Sequence, residues 1–153
     1  METRDQSDRQ TNRRRYRKGS RTLKAVVDTN VLVFDTFEDS EFHKEASSGL
    51  DSLEGWGLPG MVFHELVWFF MSQKIATPKT NAKVKEYLTN EKTTFIPCSA
   101  DDIMFASSKM KDHREYNDLV ILSSARRIGI PLYTFDENLK TIAKRQGIEL
   151  LRG

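Results

Sequence analysis

The chain has 153 residues, enough for one domain with a substantial core, and no apolar run approaches the roughly 20 residues that span a membrane. Its single cysteine, Cys98, excludes an internal disulfide framework and a four-cysteine zinc site, so a reducing, cytoplasmic setting is expected. The net charge of +2 is unevenly spread: residues 1–27 carry nine Lys or Arg against three acids, leaving the other 126 residues at −4.

That basic surplus defines an arm, residues 1–22, ahead of a folded domain expected over 23–153. Arm and apolar Leu23–Phe34 together imitate a signal peptide, but Lys24, Asp28 and Asn30 interrupt the apolar region and no small-residue cleavage site follows. Arg13, Arg14, Arg15, Arg17 and Lys18 surround Tyr16, a combination that suits RNA phosphates as well as it suits a solvated, disordered tail.

Leu23–Val27 reads as a buried β-strand that delivers Asp28 to its C-terminal end. A helix within residues 40–55 would place Phe42, Ala46, Leu50 and Leu53 on one face before Gly55 and Gly57 stop it. An extended piece over 57–62 leads into the helix FHELVWFFMSQ, with Leu66, Phe69 and Phe70 on one face and Glu65 in the first turn. Pro78 opens a polar helix whose inner stripe is Val84, Tyr87 and Leu88.

TTFIPC is a short strand, and Ser99 to Asp102 resembles a capping box opening a helix through about Lys111. Asn117 is placed to N-cap the helix DLVILSSARRIG, with Asp118 in its first turn and Gly129 at its end. PLYTF is another strand, ending at Asp136. A helix over 137–146 stops at Gly147, and IELL is the final strand. Strands alternating with helices predict an α/β fold, a three-layer α/β/α arrangement around a parallel sheet of four to five strands. The pattern leaves the strand order open.

Four acids stand at comparable positions. Asp28 and Asp136 end apolar strands, while Glu65 and Asp118 open apolar helices. In a parallel sheet, strand C-termini and the starts of the following helices share one edge, so all four can converge. Singly, each has a structural explanation, as a cap, a turn or a partner of a helix dipole. Together, four like charges at one edge raise each other's pKa values, and a cation is the ordinary remedy. Carboxylates without converging His or Cys suit Mg²⁺ or Mn²⁺, and such sites act on phosphate-bearing substrates. The chemistry implied is metal-dependent cleavage of a nucleic-acid backbone.

The runs VVDTNVLV, HELVWFF and NDLVILSSARRIGIPLYTFDENL resemble the PIN-domain nucleases, over nearly all of residues 23–152. The resemblance implies that Asp28, Glu65, Asp118 and Asp136 form a catalytic Mg²⁺ or Mn²⁺ site. It makes Asn30 and Thr134 the groups that orient those acids or bind a water. It also implies a homodimer and, for the VapC-like members, an RNA-cleaving toxin held by a small antitoxin protein. Two departures leave the toxin role open: the basic arm of about 22 residues lies outside the compact toxin pattern, and the zinc ribbon of ribosomal-RNA-maturation PIN nucleases is absent. A stand-alone RNA-processing nuclease and a non-catalytic RNA- or protein-binding module remain alternatives. A receiver-like signalling domain is a third, though the acidic pair it needs early in the fold is missing.

Other residues carry less. No GxGxxG or GxxxxGK[ST] occurs, which argues against dinucleotide and P-loop chemistry. His43, His64 and His113 are scattered, and Cys98 reads as a small buried hydrophobe. Trp56, Trp68, Phe69 and Phe70 read as core or dimer surface, and Asp35, Glu38, Asp39 and Glu41 as a solvated acidic loop.

Overall fold

Lys24–Val27 forms β1, the strand on which the sheet is centred. Ala25, Val26 and Val27 are fully buried, as expected of a short β-branched run covered on both faces. The structure, a computed structural model, describes residues 24–151; the basic arm with Arg13, Arg14, Arg15, Arg17 and Lys18 lies outside them.

The elements follow as α1 (Thr29–Thr36), α2 (His43–Ser52), β2 (Gly55–Pro59), α3 (Gly60–Ser72), α4 (Thr77–Thr89) and β3 (Thr93–Ile96). Then come α5 (Ala100–Lys109), a 3₁₀ turn (His113–Glu115), α6 (Tyr116–Ile128), β4 (Leu132–Tyr133) and α7 (Glu137–Arg145). All strand pairs are parallel and the order is β3-β2-β1-β4. Ala25 pairs with Trp56 on one side of β1, and Val27 with Tyr133 on the other. This is the expected α/β fold on a parallel sheet. The order also separates it from receiver-like domains, whose sheets run 2-1-3-4-5. Chain direction across the sheet switches beside β1, and open parallel sheets bind ligands at the strand C-termini next to such a switch. Asp28 emerges there.

Several local expectations hold. Ser99 and Asp102 form a reciprocal capping box at the start of α5. Gly129 and Gly147 end α6 and α7 with φ of 77° and 69°, the left-handed region that glycine occupies without penalty. Ala46, Leu50 and Leu53 are buried as the α2 pattern required.

Others are corrected. Helix α3 begins at Gly60 behind Pro59, so Glu65 sits in its second turn rather than its first. Asn117 is not a cap: the 3₁₀ turn starts the helical backbone earlier, and Asn117 lies inside α6. Leu88 faces outward at 45% exposure and leaves Tyr87 as the buried residue of α4. Cys98 is exposed, because β3 ends at Ile96 before reaching it. IELL contributes a single parallel bridge, Leu132 with Leu150, in place of a full strand. Asp35 is not a loop residue. It lies in α1, where Tyr87 Oη donates to it at 2.7 Å and Ser47 Oγ at 2.7 Å.

Candidate active site

Asp28 is the N-cap of α1 and is buried, with 4% of its surface exposed. A charge that deep is tolerated only when both oxygens have partners. The Thr29 N–H donates to Oδ1 at 2.7 Å, and Thr134 Oγ1 donates to Oδ2 at 2.7 Å. Thr134 is the junction of a wider network. Its Oγ1 accepts from the Asp136 N–H at 3.0 Å and from Asn30 Nδ2 at 3.3 Å, while Asn30 Oδ1 accepts from the Phe135 N–H at 3.2 Å. Asn30 and Thr134 therefore tie the end of β1 to the chain leaving β4.

Asp136 caps α7, its Oδ1 accepting from the N–H groups of Asn138 (2.8 Å) and Leu139 (3.0 Å). Glu65 Oε1 accepts from Thr29 Oγ1 at 2.7 Å, and the nearby Asn117 side chain favours the charged form of Glu65. Two residues missed as site members thus act here. Thr29 joins Asp28 to Glu65, and Asn117 of α6 lies beside Glu65 of α3. The available signal for Thr29 was a polar residue directly after the buried acid; Asn117 was masked by its plausibility as a cap.

Electrostatics show that the acids sense one another. Burial pushes the Asp28 carboxyl up to about 6, with Glu65 and Asp136 adding to the rise against the hydrogen bonds from Thr134 and Thr29. Burial likewise pushes Asp118 up to about 7, reinforced by Asp28, Glu65, Asp136 and Glu115. Glu65 is raised by burial against the pull of Thr29 and Asn117. Among the described residues no Lys or Arg forms an ion pair with any of the four.

These four acids come from four separate elements beside a switch point, and a family comparison covers the stretch of chain that carries them. The model of the PIN domain family covers residues 25–145. The chain belongs to the PIN-domain family.

A search of curated proteins finds no match. Among solved structures, this PIN-domain chain is similar to Mycobacterium tuberculosis VapC20, described as a sarcin-ricin loop cleaving toxin. The identity is 18%, with 84% of this chain and 99% of that one covered, and the TM-score is 0.68. It is also similar to Rickettsia felis VapBC2 bound to a DNA fragment from their promoter, at 18% identity, 84% and 97% coverage and a TM-score of 0.59. At that identity the likeness is one of fold.

The four acids of the candidate site are all carboxylates, without neutralising cations among the described residues, a set that fits a hard divalent ion by its chemistry. As the side chains are placed, no three His, Cys, Asp or Glu among the described residues stand close enough to share one ion. Also among the described residues, no helix is long and apolar enough to cross a membrane.

Proposed function

We propose that this PIN-domain protein is a metal-dependent endoribonuclease that hydrolyses RNA phosphodiester bonds. The observation that carries the reading is the gathering of buried acids at one sheet edge: burial first, and then neighbouring acids, raise the carboxyls of Asp28 and Asp118, and among the described residues no Lys or Arg pairs with them. Repulsion of this kind costs stability in the free protein and favours binding of a hard cation there.

Asp28, Asp118 and Asp136 would hold Mg²⁺ or Mn²⁺, with Glu65 holding a water or a second ion. When bound, such an ion supplies Lewis acidity toward the phosphodiester and makes an attacking water acidic enough to ionise near neutral pH. The chain's own residues do the positioning. Thr29 and Thr134 fix the Asp28 carboxylate, and Thr29 also fixes Glu65. Asn30 orients Thr134. No side-chain nucleophile is required.

The likeness to VapC20 supports a toxin role with RNA as substrate and a small antitoxin as partner. Homodimerisation is supported by the outer face of α3, where Val67, Trp68 and Met71 are 40%, 51% and 70% exposed. The site is expected to work in the cytoplasm. A stand-alone RNA-processing role is favoured by one feature, the basic arm that precedes the domain.

The test is cleavage of RNA by the full-length protein with Mn²⁺ or Mg²⁺, with EDTA as control. The expected result is shortening of RNA that stops in EDTA and resumes on adding excess Mn²⁺. Retention of RNA without shortening under every condition would mark a binding module instead.

A further inference from the structure

Beside the acids, on the β4 side of the sheet, a cavity of about 780 Å³ opens between α2, the chain leaving β4, and the start of α7. We propose that this cavity binds the base of the nucleotide next to the scissile phosphate and selects bases that carry an exocyclic amino group. The proposal rests on the ribonuclease reading above.

Position is the first argument. Thr134, Phe135 and Glu137 line the cavity, yet Thr134 also holds Asp28, and Asp136 lies within the same short stretch. An RNA chain whose phosphodiester meets the acids therefore passes within a residue or two of the cavity wall. Its volume falls within the roughly 300–1,000 Å³ usual for small-molecule sites.

The wall suits a flat aromatic ligand. Phe42 and Phe135 stack with ring centroids 5.2 Å apart and planes 9° from parallel. Phe34 meets both rings edge-on, at 76° and 84°, and holds the pair in place. Every nucleobase has a π face that stacks on such a surface.

Selectivity comes from the polar lining, which is rich in acceptors. Glu45 and Glu137 offer carboxylates, and Ser52 Oγ already donates to the Gly49 carbonyl at 2.7 Å, so its free capacity is as an acceptor. Adenine, cytosine and guanine present amino donors to such groups, whereas uracil presents two carbonyls and a single N–H. Lys140, 3.0 Å from Glu137, supplies a cation for the sugar-phosphate backbone.

The Tyr133 ring closes one side of the cavity and depends on Gly49. A Cβ at position 49 would collide with the Tyr133 hydroxyl and lie 2.7 Å from Cζ. Tyr133 Oη in turn donates to the Glu45 carbonyl at 3.3 Å.

The test is two-dimensional NMR of the full-length protein in EDTA, titrated with AMP, CMP, GMP and UMP, and with ribose 5-phosphate as a base-free control. Saturable shifts of the Gly49, Ser52 and Phe135 amides are expected with the three amino-bearing nucleotides. UMP should bind about tenfold more weakly, the scale of one lost base contact, and ribose 5-phosphate should not saturate. Ser48→Trp and Ser52→Trp, which fill the mouth from the surface of α2, should each weaken binding by about tenfold or more while other amides keep their positions. The idea is overturned if those amides do not shift saturably, if ribose 5-phosphate reproduces the shifts, if UMP binds as tightly as the rest, or if both folded variants bind like wild type. Binding in EDTA needs no turnover. Cleavage without base binding therefore removes this subsite alone, and base binding without cleavage removes the nuclease reading alone.

Discussion

Thr134 Oγ1 donates a 2.7 Å hydrogen bond to Asp28 Oδ2 across 106 positions of sequence. It joins the end of β1 to the chain leaving β4 at the place where the sheet changes direction. The same oxygen accepts from Asn30 and from the Asp136 amide, so one hydroxyl sets the relation between two of the four acids.

Thr134→Val keeps the shape and removes the hydroxyl. A buried carboxylate would lose a charge-assisted bond, and two donors would lose their acceptor. Bonds to charged groups contribute about 1.5–3 kcal/mol, and a stability loss of that size is expected at pH 7.5. Metal affinity should fall by roughly 10–100-fold, as when groups that orient ligands are removed. Denaturant unfolding and calorimetric titration with Mn²⁺ check both; wild-type values for the variant would show that Thr134 does not position Asp28.

Asp28 and Asp118 hold pKa values of about 6 and about 7 in the folded chain, above the roughly 3.9 of an unfolded aspartate. Between about pH 4 and pH 7 the folded state therefore binds more protons, and stability falls as pH rises through that window. Thermal melts in EDTA should give a higher Tm at pH 5 than at pH 7.5, and Mn²⁺ at pH 7.5 should recover the loss. Asp102 acts outside that window. Burial pushes its carboxyl up, but Arg127, Ser99 and Ser123 outweigh this and hold it low.

Gly49→Ala sets helix propensity against sterics. Alanine is favoured in a helix by about 1 kcal/mol, but its Cβ would drive into the Tyr133 ring. Overpacking of that kind costs about 1–3 kcal/mol, so net destabilisation is expected. Adding Tyr133→Phe, which removes the colliding hydroxyl, should restore part of the loss in a double-mutant cycle. Full additivity would show that the two residues do not press on each other.

Replacing Arg13, Arg14 and Arg15 together by Gln tests the arm. If these residues meet RNA phosphates, affinity falls and the slope of log K against log salt shrinks by about 2, three contacts at roughly 0.7 each. An unchanged slope would leave the arm without a part in binding.

Much of this arrangement was legible from residue types. Asp28 and Asp136 stand out because a charge following an apolar run needs a reason, and the capping box at Ser99 announces itself locally. The sequence points to Glu65 but places it one turn too early, because Gly60 is a poor helix former and hides the true start of α3. Asp35 shows a different limit. Its partners Ser47 and Tyr87 lie 12 and 52 positions away, so no local pattern distinguishes it from the solvated acids that follow. Strand order was equally hidden, since periodicity says which residues are buried and not which strand lies beside which.

Asp118→Asn is the most direct test. The change removes one negative charge with almost no change of shape, and in the metal-free protein it relieves repulsion from Asp28, Glu65 and Asp136. The Tm in EDTA at pH 7.5 should therefore match or exceed wild type. RNA cleavage by the same preparation in Mn²⁺ should be lost. A folded Asp118→Asn protein that cuts RNA at the wild-type rate would contradict the assignment of these acids as a metal-dependent nuclease centre.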